Sequence, residues 1–434
     1  MRRRAFVGLG LAGLSLGIPG CKQREQPGLA KAHVVVVGGG FGGLNAARAL
    51  KRLAPDLAVT LIEPNPRPLA CPGSNAVIAG LQPLETLQHD PSASLHALNI
   101  RTITARVAAI NSVGRTLTLH DGVTLTYDRL IVSPGVDFDW EALAGYDESA
   151  SQQAPHAWKA GEQTRLLQRQ LQGLRLGGTV IITVPDNPYR CPPGPYERAC
   201  LMAHYLKHHN PRAKLLILDA KTRFSKQAAF TRAWQTLYPG MIDWISSETT
   251  GRIDHVDVSQ RIVETEFASH RADVLNVIPP QRVGRLAVMA GLADQSGWCP
   301  IDPLTFESTL QTGIHVIGDA CAALPMPKSA FAAQNQARLC AAAIIALLQE
   351  RQPTTPRLIN HCYSFVSPDQ AISITAVYGY EKSSKGLENL SGGETGPEDD
   401  WRREAVYAND WYHLLLEDTF GFLPPTALNN LTRS

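Results

Sequence analysis

The chain is most informative first for what it does not contain. Among its 434 residues no internal stretch reaches the roughly 18 uninterrupted apolar residues of a membrane-spanning helix, so no integral segment is expected. Charge of one sign is missing: 41 Lys and Arg against 39 Asp and Glu leave +2, and neither nucleic acid nor an anionic membrane is indicated. There is no C-x-x-C-H, so the chain attaches no haem of its own, and no residues are assigned to a metal. Eight cysteines spread over this length do not make a small disulfide scaffold. Repeats are absent apart from two α/β units. What remains is a hydrophobic fraction of 44% and a length that implies two or three domains.

The stretch that organises the rest is His33-Val34-Val35-Val36-Val37-Gly38-Gly39-Gly40-Phe41-Gly42-Gly43-Leu44. Four consecutive valines predict a strand buried on both faces. Gly38, Gly40 and Gly43 stand at G-x-G-x-x-G spacing, and Ala46, Ala47, Ala49 and Leu50 continue as helix. Gly38 permits the tight turn, Gly40 lets backbone approach a pyrophosphate, and Gly43 lets helix and strand pack closely. The helix N-terminus then offers free N–H groups to phosphate. A second strand, Ala58–Ile62, ends in Glu63, 20 residues beyond Gly43, where a ribose-binding carboxylate is expected. A glycine-rich turn in a non-binding α/β unit would share the spacing but not this context.

The chain opens Arg2-Arg3-Arg4-Ala5-Phe6, and an apolar stretch runs from Val7 to Ile18. Basic residues before a short apolar run are a signal-peptide layout, and the consecutive arginines resemble a twin-arginine signal, which exports proteins already folded around a cofactor. Residues 1–32 are therefore expected to be a signal segment. Cleavage after Ala30-Lys31-Ala32 is one end point; lipid attachment at Cys21, in Ile18-Pro19-Gly20-Cys21, is the other.

Residues 33–147 read as the first part of a dinucleotide-binding domain. Pro66–Asn75 is a loop by composition, and its Cys71 is expected to lie over the cofactor or to be a small buried hydrophobe. Period-two segments at 103–110, 116–119 and 123–127 predict an antiparallel meander. The strand Arg129–Ser133 then reaches Pro134-Gly135, and Gly135 resembles the second fingerprint of flavoproteins with two dinucleotide domains. Residues 148–265 look like a second such unit, with strands at 178–184 and 214–219. Its first strand runs into Pro185-Asp186-Asn187-Pro188-Tyr189-Arg190-Cys191-Pro192-Pro193-Gly194-Pro195. No glycine fingerprint follows, and prolines lack the N–H groups a phosphate needs, so a nicotinamide nucleotide is not expected there. Residues 266–350 return to the first domain; the strand 313–317 ends in Gly318-Asp319, which resembles a carboxylate binding the ribityl or pyrophosphate region of FAD. A long helix from Lys328 carries Cys340. Residues 351–434 form a C-terminal segment with a strand at 372–378, a polar Gly-rich linker at 383–400 and an aromatic tail.

The full pattern resembles the flavoprotein subunit of flavocytochrome c sulfide dehydrogenase over nearly the whole chain. The most specific matches are Asn187–Arg198 and Met326-Pro327-Lys328-Ser329 leading to Cys340. The resemblance implies an α/β, glutathione-reductase-like fold: two Rossmann-like domains plus a C-terminal α+β interface domain. It implies FAD, held covalently through a thioether at Cys71 and bound by Gly38, Gly40, Gly43, Glu63, Gly135 and Asp319. It implies a redox-active pair, Cys191 and Cys340, with Glu197 as an acid near the flavin. Without the resemblance, a static cross-link or two buried thiols would account for Cys191 and Cys340 equally well. The activity implied is periplasmic oxidation of sulfide to sulfur or polysulfide, with electrons passed to a c-type cytochrome subunit that supplies the haem. A sulfide:quinone oxidoreductase has similar cysteine chemistry but needs an apolar or amphipathic C-terminus, and the segment Trp401-Arg402-Arg403-Glu404 is polar. A type II NADH dehydrogenase is disfavoured by the missing second glycine motif, after strand 178–184. A non-catalytic electron-transfer or assembly flavoprotein would lack sulfide turnover.

The signal reading has a direct test. Replacing Arg2, Arg3 and Arg4 together by lysine should leave the protein in the cytoplasm; undiminished export on cell fractionation would contradict it.

Overall fold

The computed structural model describes residues 29–421; the arginine run, the apolar stretch after it and Cys21 lie outside them. His33–Val37 is the middle strand of a five-stranded parallel sheet ordered Ile314–Val316, Arg129–Val132, His33–Val37, Ala58–Ile62, Arg101–Ile103. The central place explains the valine run, since both faces are covered. Helix Phe41–Leu53 follows the glycine turn and packs along helix Ala330–Leu348. The latter is long and apolar enough to cross a membrane by composition, but its alanines and isoleucines are buried in the core of this domain. The expected meander forms at Val107–Asn111, Thr116–Leu119 and Thr124–Thr126.

The second unit is a four-stranded parallel sheet ordered Ile242–Ser246, Lys214–Asp219, Thr179–Val184, Val274–Val277. Two short antiparallel strands, Val136–Phe138 and Gln281–Val283, connect it with the first. The expected α/β architecture with two Rossmann-like sheets and a separate C-terminal α+β part is therefore present. That last part is a three-stranded antiparallel sheet, Arg357–Ser367, Gln370–Glu381 and Gly386–Glu394, with helix Trp401–Phe420 packed on its middle strand.

Two expectations for the C-terminal part are corrected. The stretch taken as a linker contains the edge strand Gly386–Glu394, paired with Ile374–Glu381. Seven of its nine side chains are exposed, so no alternation marked it, and main-chain hydrogen bonds hold its register. The tail is a helix capped by Asp400, whose carboxylate accepts from the N–H groups of Arg402 and Arg403. It is not polar along its length: Val406, Tyr407 and Leu414 are exposed on it.

In the second sheet the acid that stands where a ribose-binding carboxylate would be expected has partners of its own. Asp219 ends strand Lys214–Asp219 as Glu63 follows Ala58–Ile62 in the first unit. Its carboxylate is already saturated by the Lys221 ammonium at 2.6 Å, the Tyr196 hydroxyl at 2.5 Å and the Trp244 indole N–H at 2.9 Å. Tyr196 comes from helix Gly194–His209, whose first residues include Pro195. A ribose would have to displace a buried ion pair, and a pyrophosphate would meet prolines. We predict that excess NADH, added anaerobically, leaves the protein's flavin oxidised; rapid bleaching would overturn this.

Candidate active site

The glycine turn is shaped by sterics. Gly38 has φ +105°, and a Cβ there would stand 2.3 Å from the carbonyl oxygen of Ser133. A Cβ on Gly43 would stand 1.8 Å from the carbonyl oxygen of Gly38, so only glycine lets the helix sit this close to the strand. Around Gly40 there is open space within 4 Å, as there is around Gly135. Glu63 accepts the Gly39 N–H at 2.6 Å and the Asn65 N–H at 2.8 Å, which fixes its carboxylate beside the turn.

From Gly40 a cavity of about 370 Å³ runs between the three parts of the chain. Cys71, Gly135, Cys191, Glu197 and Asp319 all reach it. Asp319 leaves Oδ1 buried with no hydrogen-bond partner. Burial raises its pKa, opposed by Arg190 and Lys328. An orphaned buried carboxylate oxygen, a glycine turn with open space before it and a largely apolar wall fit a dinucleotide carrying ribityl and ribose hydroxyls. Gly38, Gly40, Gly43, Glu63, Gly135 and Asp319 are thus all at this end.

Cys71 sits in the turn before helix Ser74–Ile78. Its carbonyl accepts the Ser74 N–H at 3.1 Å, and Tyr412 of the C-terminal helix donates to the Pro72 carbonyl at 3.1 Å. Gly73, at φ +89°, supplies the left-handed residue this turn requires. The Arg190 guanidinium faces Cys71, Asp319 and Cys191; burial opposes its charge and these three neighbours more than offset that.

Cys191 and Glu197 also line this cavity. Cys191 is held at φ +59°, a strained value for a residue with a side chain. Its N–H donates to the Lys328 carbonyl at 2.8 Å and its carbonyl accepts the Gly194 N–H at 2.9 Å, pinning it at the entry of helix Gly194–His209. Glu197, one turn into that helix, accepts from the Phe365 N–H at 2.9 Å and the Asn75 amide at 2.7 Å. Burial raises its pKa, and the Phe365 and Asn75 hydrogen bonds, then Lys226 and Arg198, oppose that.

The structure does not bring Cys340 to Cys191. Cys340 lies on the inner face of helix Ala330–Leu348, fully buried in the first domain's core, with Cys321 and Glu307 as its nearest ionisable neighbours. It does not line the cavity. The cysteine that does, and that faces Cys191, is Cys362 on strand Arg357–Ser367. Burial is the main reason Cys191 is pushed up to about 12, with Cys362 and Glu197 adding to it and Arg190 and Lys226 opposing. In the sequence nothing singles out Cys362, because its neighbours Asn360-His361 and Tyr363 form no motif or spacing signal.

Beneath this wall lies Arg198, 1% exposed. Its guanidinium donates to Asn75 Oδ1 at 3.0 Å, Asn276 Oδ1 at 2.8 Å and the carbonyls of His156 at 2.9 Å and Ala157 at 2.6 Å, and it lies 4.9 Å from the Trp158 ring. Burial lowers its pKa to about 9, opposed by Cys191 and Glu197.

Three family descriptions match the chain. Residues 32–181 match "Pyridine nucleotide-disulphide oxidoreductase", residues 164–279 "Sulfide dehydrogenase (flavocytochrome c) flavoprotein chain, central", and residues 354–420 "Flavocytochrome c sulphide dehydrogenase, flavin-binding". The mitochondrial sulfide:quinone oxidoreductase of Mus musculus is 24% identical over 336 residues, covering 75% of this chain and 73% of that protein. The flavoprotein chain of a flavocytochrome c sulfide dehydrogenase from Chlorobaculum thiosulfatiphilum is 57% identical over 45 residues, 10% of this chain and 94% of that sequence. Among solved structures, the sulfide:quinone oxidoreductase of Aquifex aeolicus superposes with a TM-score of 0.73 at 19% identity, covering 91% of this chain and 93% of that one, a likeness of fold.

Replacing Arg198 by methionine should destabilise the folded protein by about 3 kcal/mol, because four acceptors lose this donor at once and only the His156 carbonyl keeps another, from Asn276. Denaturant unfolding reads this; a loss below about 1 kcal/mol would mean the guanidinium holds nothing together.

Proposed function

Because the chain belongs to the FAD-binding pyridine nucleotide-disulphide oxidoreductase superfamily, the one that includes flavocytochrome c sulfide dehydrogenase-like flavoproteins, we propose that it oxidises sulfide through the cysteine pair Cys191 and Cys362. The observation that carries this is the presence of both sulfurs on one cavity wall, across from the glycine turn, with Glu197 beside them. Sulfide at neutral pH is largely HS⁻, a soft nucleophile. It attacks one sulfur of the oxidised pair, the S–S bond breaks, and the electron pair remains on the other sulfur as thiolate. FAD, held by Gly38, Gly40, Gly43, Glu63, Gly135 and Asp319, supplies a two-electron acceptor able to release electrons one at a time. Glu197 takes or returns a proton, a role its burial-raised pKa suits. Arg190 and Lys328 balance Asp319. Cys71 faces the same space and is the residue proposed for a thioether to the flavin.

The acceptor has two readings. Similarity to a sulfide:quinone oxidoreductase across three quarters of the chain, together with exposed Val406, Tyr407 and Leu414 on the helix whose Trp411 and Tyr412 line the cavity, favours a quinone. The two flavocytochrome c matches, at residues 164–279 and 354–420, favour a c-type cytochrome subunit. The proposed place of work is the periplasm, reached by the twin-arginine-type signal, with a lipid anchor at Cys21 the less favoured variant.

Cys191→Ser and Cys362→Ser should each cut sulfide-dependent reduction of a soluble quinone or of cytochrome c by orders of magnitude with FAD still bound, while Cys340→Ser stays near wild type. Equal activity in all three would leave sulfide oxidation without its chemical basis, and loss only in the 191 and 340 variants would restore the Cys191–Cys340 pairing. The faster of the two acceptors identifies the partner. Acid precipitation of the same wild-type preparation should leave flavin on a Cys71 peptide; complete release removes the thioether.

A further inference from the structure

Lys226 takes no part in the chemistry described so far, and its placement is costly. It is 2% exposed, so an ammonium has been taken out of water. It is held at φ +61°, in the left-handed region, immediately before helix Gln227–Leu237. Among the described residues no carboxylate forms an ion pair with it. Its hydrogen bonds go to neutral oxygens of the C-terminal sheet: Ser364 Oγ at 2.8 Å, the Ile372 carbonyl at 3.3 Å and the Cys362 carbonyl at 3.4 Å. A buried cation with neutral ligands only needs an anion nearby. The groups that face it are Cys362 and then Glu197, Cys191 and Glu394, with the Phe230 ring 5.8 Å away.

Each candidate anion other than Cys362 has a reason to be discounted. Glu197 already receives two hydrogen bonds, from Phe365 and Asn75. Glu394 lies at the exposed end of the edge strand. Cys191 is a weaker influence on Lys226 than Cys362, and Arg190 favours its thiolate more than Lys226 does. Lys226 grips the carbonyl of Cys362 itself, and the Cys362 side chain otherwise meets neutral groups, the Ser329 side chain and Asn360 Oδ1, the latter at 3.6 Å.

Resting on the proposed cysteine pair, we propose that Lys226 is the built-in counter-ion of Cys362, so that in the reduced pair Cys362 is the sulfur that carries the negative charge. Lys226 acts through Cys362 as a positioning and electrostatic residue. Burial lowers its own pKa to about 8, which still leaves it mostly charged at neutral pH. Burial likewise raises the Cys362 thiol, and Lys226 is the largest influence working the other way. A nearby cation favours the thiolate, so with Lys226 present Cys362 ionises at lower pH than it would without it.

The test needs neither sulfide nor an acceptor, so it stands or falls separately from the activity of the cysteine variants. The holoenzyme is reduced with a phosphine and alkylated with iodoacetamide across a range of pH, and the peptides bearing Cys191 and Cys362 are quantified by mass spectrometry. In the wild type Cys362 should react with the lower apparent pKa. Lys226→Met should move the Cys362 profile up by at least one pH unit, a fall of about tenfold in rate near neutrality, and should move Cys191 less. Lys226→Arg should restore most of it, which a merely structural role would not require. A folded Lys226→Met protein with an unmoved Cys362 profile would overturn the proposal. If that variant does not fold, a wild type in which Cys191 ionises before Cys362 would overturn it as well.

Discussion

One buried guanidinium holds the cavity wall in place. Arg198 reaches from helix Gly194–His209 to the Cys71-side helix through Asn75, to the segment 156–157 through two carbonyls, and to the second sheet through Asn276. Its direct partners are neutral oxygens, while the nearby Cys191 and Glu197 favour its charge. Four directed hydrogen bonds from one buried group give the wall a single arrangement. Asn75 then passes the constraint on, because its amide donates to Glu197.

From that anchor the position of the reactive groups follows. Cys191 precedes the same helix by three residues and is kept in a left-handed conformation by hydrogen bonds from both of its peptide groups. Glu197 lies one turn inside the helix. The C-terminal sheet brings Cys362 against them and is itself tied down by Lys226, Tyr238 and the Phe365 N–H. Three segments distant in sequence meet because each contributes one polar contact that would otherwise be unsatisfied.

The second sheet keeps the strand pattern of the first and uses its strand-end acid differently. Its strands keep parallel register, while the acid at the end of Lys214–Asp219 has become the partner of Lys221, Tyr196 and Trp244. The prolines before the helix remove the donors a phosphate would use.

Much of this was legible in the order of residues alone. The valine run, the Gly38, Gly40 and Gly43 spacing, Glu63, Gly318-Asp319 and the proline stretch are local patterns, and each depends on backbone sterics or hydrogen-bonding capacity within a few residues. They determined the first domain, its cofactor end and the lack of a second G-x-G-x-x-G motif. The edge strand Gly386–Glu394 was not legible, since an exposed strand has no hydrophobic period and takes its register from its neighbour. Nor was the cysteine that lies beside Cys191 in the cavity. Cys340 stands on an apolar helix, and only the packing of that helix on Phe41–Leu53 decides that its thiol points into the core. Cys362, Arg198 and Lys226 acquire their meaning from contacts across 41 to 146 residues of chain. Local chemistry is written in neighbouring residues; which sulfur meets which, and which charge lies beside it, is set by long-range packing, and that the tertiary structure alone decided.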